Sequence, residues 1–406
     1  MLSNKTIEIV KATAPVLEVK GKEITTNFYK SMFAAHPELL NVFNHANQQK
    51  GRQQTALANT VTAAAHYIDR LEVLVPVVKQ IAHKHRSLAV KAEHYPIVGE
   101  FLLKAIKEVL GDAATEEILE AWGEAYHEIA AIFIQVEKEM YEEAERQENG
   151  WKDFKTFKIV KKAKESGNIT SFYLAPVDGK KLPSFKPGQY ITVRVKINGE
   201  EFLQNRQYSL SDVPNDEAFR ISVKREDEQT PAGKVSNFLH EAPNGLEVEV
   251  SPPAGDFILE EDEKPVYFLA GGVGITPLLS MLKTSVTSQP NRKVTFIHAA
   301  RNSDVLAFEV EVKEAIKVTK EGKSYLCYSN PTNKDLKLRN FDHEGYVDRA
   351  FLEEIVEEKD AHFYVCGPVP FLQTVVNELK QLEVKEENIH YEFFGPAMKL
   401  EEATTV

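Results

Sequence analysis

The chain has 406 residues, 43% hydrophobic and 27% charged, an ordinary globular composition with room for two or three domains that each bury a core. Its net charge of -12 opposes nucleic acid and anionic membrane as main partners, because both would repel it. Two cysteines, Cys327 and Cys366, build neither a disulfide framework nor a CxxC zinc site, so a reducing cytoplasm is expected.

The opening MLSNKTIEIVKATAPVL breaks its apolar residues with Lys5, Glu8 and Lys11, which argues against a secretory core or a membrane span. Residues 1–150 hold 6 of the 20 glycines and 4 of the 19 prolines, so this part reads as helical and the rest as strands and turns. Ile7, Val10, Ala14 and Leu17 step by three and four, as an amphipathic helix requires. NFYKSMF is followed by the turn AAHPELLNVF, supplying Phe28, Tyr29, Pro37 and Phe43, and GRQQTALANTV then presents Gln53, Leu57, Thr60 and Val61 at helical spacing.

The stripe Leu74, Val78, Ile81 continues by one more step to His85. His83 is two positions from His85, about 200° around the wheel, so it is expected on the opposite, wet face, and the two cannot grip one ion together. Taken alone, an inward histidine is more often a satisfied core residue than a ligand. After HYPIVGEFLL, a last long helix over 115–146 opens at Thr115 with Glu116 and Glu117 behind it, suiting an N-cap and the positive helix end. Its inward stripe is Trp122, Tyr126, Ile129, Phe133, Glu137, Met140. A carboxylate there is costly unless a donor meets it, and an imidazole N–H would serve.

The seam YEEAERQENGWKDF ends the helical part. Beyond it FKIVKKAK, ITSFYLAPV, QYITVRVKI, QNRQYSLS and FRISVKRE alternate with turn residues, suggesting a small antiparallel barrel. From about 263, PVYFLA, KVTFIHAA, HFYVCGP and IHYEFFGP alternate with helices, as in a parallel, doubly wound sheet. The expected division is 1–147, 151–262 and 263–406. YFLAGGVGITPLLSML is a buried strand, a glycine-rich turn and a helix, in which Gly271, Gly272 and Gly274 let the backbone approach a pyrophosphate at the helix N-terminus. Pro277 stands where a third fingerprint glycine would be, and such a turn also serves as a mere tight connection. RQYS at 206–209 reads, by itself, as an edge strand with a surface arginine.

Taken in order, PGQY (187–190), RQYS, AGKVSNFL (232–239), GGVGITP, VCGP (365–368) and FFGP (393–396) resemble the ferredoxin–NADP reductase superfamily over about 151–406. That resemblance implies FAD held by Tyr190, Arg206, Gln207, Tyr208 and Ser209, with the 233–236 turn over its phosphates. It implies a nicotinamide dinucleotide on Gly271, Gly272, Val273, Gly274, Ile275 and Thr276, with Cys366, Gly367 and Pro368 flanking the nicotinamide. Glu392, Phe393, Phe394, Gly395 and Pro396 would close over the flavin. The helical part resembles a globin, and globin plus reductase in one chain resembles the layout of the bacterial and yeast flavohaemoglobins across essentially all 406 residues.

By that resemblance His85 is the proximal ligand of haem b, Phe43 packs on the haem, and Tyr29 and Gln53 face bound dioxygen. Tyr95 and Glu137 correspond to the proximal hydrogen-bonding pair, and Lys84 to a lysine near haem and flavin. The implied activity is nitric oxide dioxygenation, O2 and NO becoming nitrate with electrons from NAD(P)H passed through FAD. A monomer without stable membrane association or nucleic acid is expected. Rival readings are an oxygen-binding or sensing globin and a haem-linked hydroperoxide reductase or NAD(P)H oxidase. Arg301 could meet a 2′-phosphate, but Asp304 lies close by, so only modest NADH/NADPH discrimination is expected.

Overall fold

The computed structural model describes residues 2–43, 48, 51–228 and 231–395. They group into two compact units. The first holds the chain up to Phe154, the segment Arg194–Arg206 and Gly395; the second holds Lys155–Val193 and Gln207–Phe394.

The first unit is helical. Helix α1 (Asn4–Ala35) starts where the Ser3 hydroxyl accepts from the Thr6 N–H, and its inward stripe includes Val10, Ala14, Leu17, Phe28 and Tyr29. NFYKSMF is thus the last third of one continuous helix. A 3-10 turn at Pro37–Asn41 follows, then α2 (Arg52–His66), entered through Gly51 at φ 68°. Helix α3 (Val75–Ser87) begins at Val75 with Pro76 in its first turn, so Leu74 caps the helix rather than sitting in it. Helices α4 (His94–Leu110) and α5 (Glu116–Arg146) complete the set, and Thr115 accepts from the Ile118 N–H as the N-cap of α5. The core joins α1, α4 and α5 through Val10, Ile24, Phe28, Leu102, Ile106 and Trp122. Asn205 donates to the carbonyls of Asn41 and Val42 at 2.8 and 3.1 Å, within the same unit.

Six strands, β1 (Lys155–Lys164), β2 (Ile169–Pro176), β3 (Tyr190–Val195), β4 (Gln204–Ser209), β5 (Phe219–Lys224) and β6 (Glu247–Val250), form a sheet in the order β4-β3-β6-β1-β2-β5. The β1–β2, β1–β6 and β2–β5 pairs are antiparallel. The two outer strands meet through an antiparallel bridge between Leu210 and Ile221, which curls the sheet toward closure as the strand spacing suggests. Strand β6, a four-residue EVEV whose valines are buried, has no counterpart in the sequence reading, its alternation running for only four residues.

Helix α6 (Lys234–Glu241) precedes β6. Beyond it lie β7 (Val266–Gly271), α7 (Ile275–Ser288), β8 (Val294–Ala300), α8 (Glu309–Lys317), β9 (Gly322–Tyr328), α9 (Asn333–Leu338), β10 (His343–Glu344), α10 (Arg349–Ile355), β11 (His362–Cys366), α11 (Val369–Gln381) and β12 (Ile389–Glu392). All strands of this sheet pair in parallel, in the order β10-β9-β8-β7-β11-β12. The sheet is wound to both sides of β7, as expected, and adds β9 and β10 to the strands read from sequence. The carboxyl ends of β7 and β11 flank the point where the winding reverses, the usual place for a ligand crevice in such sheets.

Candidate functional site

In the first unit, three helices bring one constellation together. His85, in the last turn of α3, has Nδ1 at 2.7 Å from Glu137 Oε1. The Tyr95 hydroxyl, from α4, donates to the same oxygen at 2.6 Å and lies 3.3 Å from His85 Nδ1. A carboxylate oxygen only accepts, so the imidazole carries its proton on Nδ1, leaving the Nε2 lone pair available to a metal. Glu137 is 3% exposed, and two donors on one oxygen offset the cost of burying it. Burial, and then the Glu137 charge, push the Tyr95 phenol far up, so it stays a donor.

The surrounding helices hold this arrangement in place. Tyr126 donates to the Tyr95 carbonyl at 2.6 Å. Its ring reaches α4 only because position 99 is glycine: a Cβ there would lie 2.5 Å from the Tyr126 ring. Tyr141 donates to the Val90 carbonyl at 2.7 Å, pinning the turn after α3. Phe133 stands 5.9 Å from the His85 ring.

His83 departs from the expectation of a wet face. It is half-buried, since the short α3 is covered on more of its circumference than a single apolar stripe implies. Lys84, between the histidines, donates its ammonium to the Gly395 carbonyl.

Tyr29, Phe33 and Phe43 form an aromatic cluster, Tyr29 lying 5.7 Å from Phe33 and 5.8 Å from Phe43, centroid to centroid. Burial pushes the Tyr29 phenol far up, so it remains protonated. Gln53, on α2, has its Oε1 enclosed with no hydrogen bond among the described residues. A buried amide left in that state is costly unless a further polar group completes it. A histidine with a free Nε2, apolar walls and a polar amide in need of a partner fit a haem with a small diatomic ligand.

The remaining residues lie on strand ends and turns, all in the second unit except Arg206 and Gly395. Tyr190 opens β3, buried, and its backbone pairs with Ala254 at 2.9 and 2.8 Å. Along β4, Arg206 and Tyr208 are half-buried, Gln207 is exposed and Ser209 is buried, and Arg206 donates to the Asn205 carbonyl at 2.7 Å. Helix α6 has no side-chain cap at Gly233, so its first N–H groups suit a phosphate.

The GGVGIT run spans the end of β7, a 3-10 turn at Gly272–Gly274 and the start of α7. Its glycines do different jobs. A Cβ on Gly274 would lie 2.2 Å from the Cys366 carbonyl oxygen, and one on Gly271 would meet the Phe371 ring at 2.9 Å. These two serve the close approach of the 271–276 and 366–368 turns. Gly272, at φ 54° with nothing within 4 Å of a built Cβ, is the position that leaves backbone open to a ligand.

Cys366 is fully buried, and Pro368 caps α11. Glu392 lies beside Cys366 in the β11–β12 register. Burial, and then Glu392, hold the Cys366 thiol well above its ordinary range, so it is a wall and not a nucleophile. Phe393 packs on the sheet core and Phe394 is exposed; Pro396 lies outside the described residues.

Sequence reasoning missed His298 on β8. Its Nε2 lies 3.3 Å from the Gly272 carbonyl, and burial lowers its pKa to about 4, so the ring is neutral and donates to the turn. A histidine inside the apolar run TFIHAA was the available signal. Arg301, singled out for a 2′-phosphate, makes a 3.5 Å ion pair with Glu228, both exposed.

Three family profiles match in chain order: Globin over 26–133, Oxidoreductase FAD-binding domain over 156–258 and Oxidoreductase NAD-binding domain over 268–377. The flavohemoprotein of Bacillus thuringiensis subsp. konkukian (strain 97-27) is 58% identical over 404 residues, covering 99% of this chain and 100% of that protein. The chain belongs to the flavohemoprotein family. Another flavohemoprotein, from Bacillus subtilis (strain 168), is 51% identical over 402 residues, 98% of this chain and 99% of its own. Among solved structures, flavohemoglobin from Malassezia yamatoensis with bound FAD and heme superposes with a TM-score of 0.86 at 28% identity, covering 97% of this chain and 100% of that one. The flavohem-like FAD/NAD binding domain of nitric oxide dioxygenase from Vibrio cholerae gives 0.55 at 35% identity, covering 60% of this chain and 99% of its own. Family membership and architecture therefore agree with the reading from sequence. No helix among the described residues is long and apolar enough to cross a membrane.

Proposed function

We infer that this flavohemoprotein is an NAD(P)H-dependent nitric oxide dioxygenase, making nitrate from NO and O2 at haem b with electrons passed through FAD. The observation that carries the reading is His85, held by Glu137 and Tyr95 with Nε2 left over, in one chain with an FAD- and NAD-binding oxidoreductase module. When bound, haem iron supplies a dioxygen-binding centre, and FAD converts the two-electron donor NAD(P)H into a source of single electrons.

The chain's own residues do the rest. His85 Nε2 is the metal ligand, and Glu137 makes the imidazole more electron-donating by accepting its other proton. Tyr95 fixes the carboxylate that does so. Tyr29 and Gln53 would offer a phenol and an amide donor to a bound gas, and Phe43 an apolar ring to the haem. Lys84, tied to the Gly395 carbonyl, corresponds to a lysine that would stand near haem and flavin, and Glu392 to a carboxylate on the flavin side.

Tyr190 and the run Arg206, Gln207, Tyr208 and Ser209 hold FAD, the guanidinium meeting pyrophosphate charge. Gly271 to Thr276 would cradle the dinucleotide, the backbone left open at Gly272 being where its phosphates would be held. Cys366, Gly367 and Pro368 would bound the nicotinamide, and Phe393, Phe394 and Gly395 would cover the flavin, the expected Pro396 lying outside the described residues. The functional division is 1–147 for haem, 151–262 for FAD and 263–406 for NAD(P). The protein acts as a cytoplasmic monomer.

NAD(P)H oxidation measured under air with and without NO tests this. Nitric oxide should raise turnover and appear as nitrate. Turnover unchanged by NO, with no nitrate formed, sinks the reading and returns the chain to an oxygen carrier or a simple oxidase.

A further inference from the structure

Just beyond the RQYS run lies a group of four charges that the proposed chemistry does not use. Arg220, on β5, is 4% exposed. Its guanidinium grips Glu311 on α8 with both terminal nitrogens, at 2.8 and 3.2 Å. The same guanidinium donates to the Ser211 carbonyl and lies 3.5 Å from Asp212 Oδ2. Lys283, on α7, closes the ring by donating to Asp212 Oδ1 and, at 3.0 Å, to Glu311 Oε2. A sixth contact runs alongside, the Ser280 hydroxyl of α7 donating to the Asp212 carbonyl at 2.7 Å. Phe308 lies 5.2 Å beneath the guanidinium.

What the group connects is specific. Ser211 and Asp212 lie two and three residues past the end of the strand that carries Tyr208 and Ser209, Asp212 in a bend. Ser280 and Lys283 sit on the helix that the 271–276 turn opens. Two segments expected to carry flavin and nicotinamide are therefore joined through the three residues that follow β4 and two turns of helix. Only Arg220 of the four is buried; such a group adds little stability compared with apolar packing, but removing a partner of Arg220 leaves its buried charge less compensated. Such a group favours a single arrangement of the elements it joins. Burial works against the Arg220 charge, but Glu311 and Asp212 outweigh it and the guanidinium's pKa is raised; Glu311 is correspondingly lowered by Arg220 and Lys283 despite its burial.

We propose that Arg220, Asp212, Lys283 and Glu311 are positioning residues for hydride transfer, a clamp that fixes the flavin-bearing strand against the dinucleotide-bearing helix. The proposal rests on the oxidoreductase part of the functional reading and not on nitric oxide as substrate.

The test uses full-length protein carrying Lys283→Met, which removes the shared cation but leaves Arg220 paired. In protein stripped of flavin, amide hydrogen exchange should rise in both 207–212 and 275–283. In loaded protein, anaerobic flavin reduction by NADH should slow about tenfold, because sub-ångström misplacement of reacting groups costs rate more than affinity. NADH affinity should stay within about twofold, and Lys283→Arg should restore the rate. Glu311→Gln is the second variant should Lys283→Met fail to fold. Flavin reduction unchanged within twofold in the folded variants, even with a lower melting temperature, overturns the proposal and leaves the clamp a structural pin. Flavin reduction is read without nitric oxide, so failure to make nitrate would bear only on the dioxygenase reading.

Discussion

Glu137 sits on a helix face it shares with Trp122 and Phe133, and it is tolerable there because Tyr95 and His85 donate to the same oxygen at 2.6 and 2.7 Å. Glu137→Gln would place an amide N–H or a weaker acceptor against Nδ1, changing the tautomer or the electron donation of the ring. NO-dependent NADH consumption per haem should fall about tenfold, the usual size of such outer-shell losses. Tyr95→Phe leaves the His85–Glu137 bond and should cost only a few-fold. Equal rates in Glu137→Gln and the parent, at equal haem content, would remove the proximal push from the mechanism. On the opposite side Tyr29→Phe deletes a buried donor, and dioxygen dissociation followed after flash photolysis should accelerate by about tenfold or more. At this scale the sequence was most legible: the spacing from Ile81 to His85 selects one histidine, and Glu137 declares itself as a charge on an apolar stripe. His83 was misplaced because a helical wheel reports one face and says nothing of how many neighbours cover a short helix.

At the scale of elements, the glycine turn is shaped from below by β8. His298 is neutral in the folded state, its pKa lowered to about 4 by burial, whereas the unfolded chain has the ordinary value near 6.5. Between those values the unfolded state binds the extra proton, so stability falls as pH drops through this window and levels off below it. From pH 7 to pH 5 this one group should cost the second unit on the order of 2 kcal/mol. His298→Gln keeps a donor for the Gly272 carbonyl and lacks the titration. Denaturant unfolding at the two pH values should therefore show a shallower pH dependence in the variant by about that amount. An unchanged slope would mean that His298 does not govern it. The elements found from sequence were those with strong period or punctuation, such as the buried run YFLA before its glycines. β6, β9 and β10 were missed for physical reasons: EVEV alternates over only four residues, and the two-residue β10 is too short for any pattern. In β9, GKSYLCY is half-covered, so polar and apolar residues do not separate by face.

For the whole molecule, His85 with Glu137 and Tyr95 and the 271–276 turn belong to separate compact units, so the functions proposed for them should be separable by one substitution. Gly274 is the place to make it. A Cβ there lies 2.2 Å from the Cys366 carbonyl oxygen and 2.6 Å from the Gly367 nitrogen. Both are backbone atoms, which cannot swing aside as a side chain tip would, so Gly274→Ala must push the 271–276 turn off the 366–368 turn. Overpacking of this kind typically costs about 1–3 kcal/mol, enough to displace a turn without unfolding a domain of this size. NADH-driven flavin reduction and NO consumption should both fall at least about tenfold. The first unit should be untouched: haem content, and the spectrum of the chemically reduced carbon monoxide complex, should match the parent. Reduced by dithionite, freed of excess reductant and given dioxygen, the variant should convert a single equivalent of NO to nitrate at the parent rate. Loss of that single turnover as well would show that the oxidoreductase half does more than supply electrons, because nothing at Gly274 touches His85, Tyr95 or Glu137.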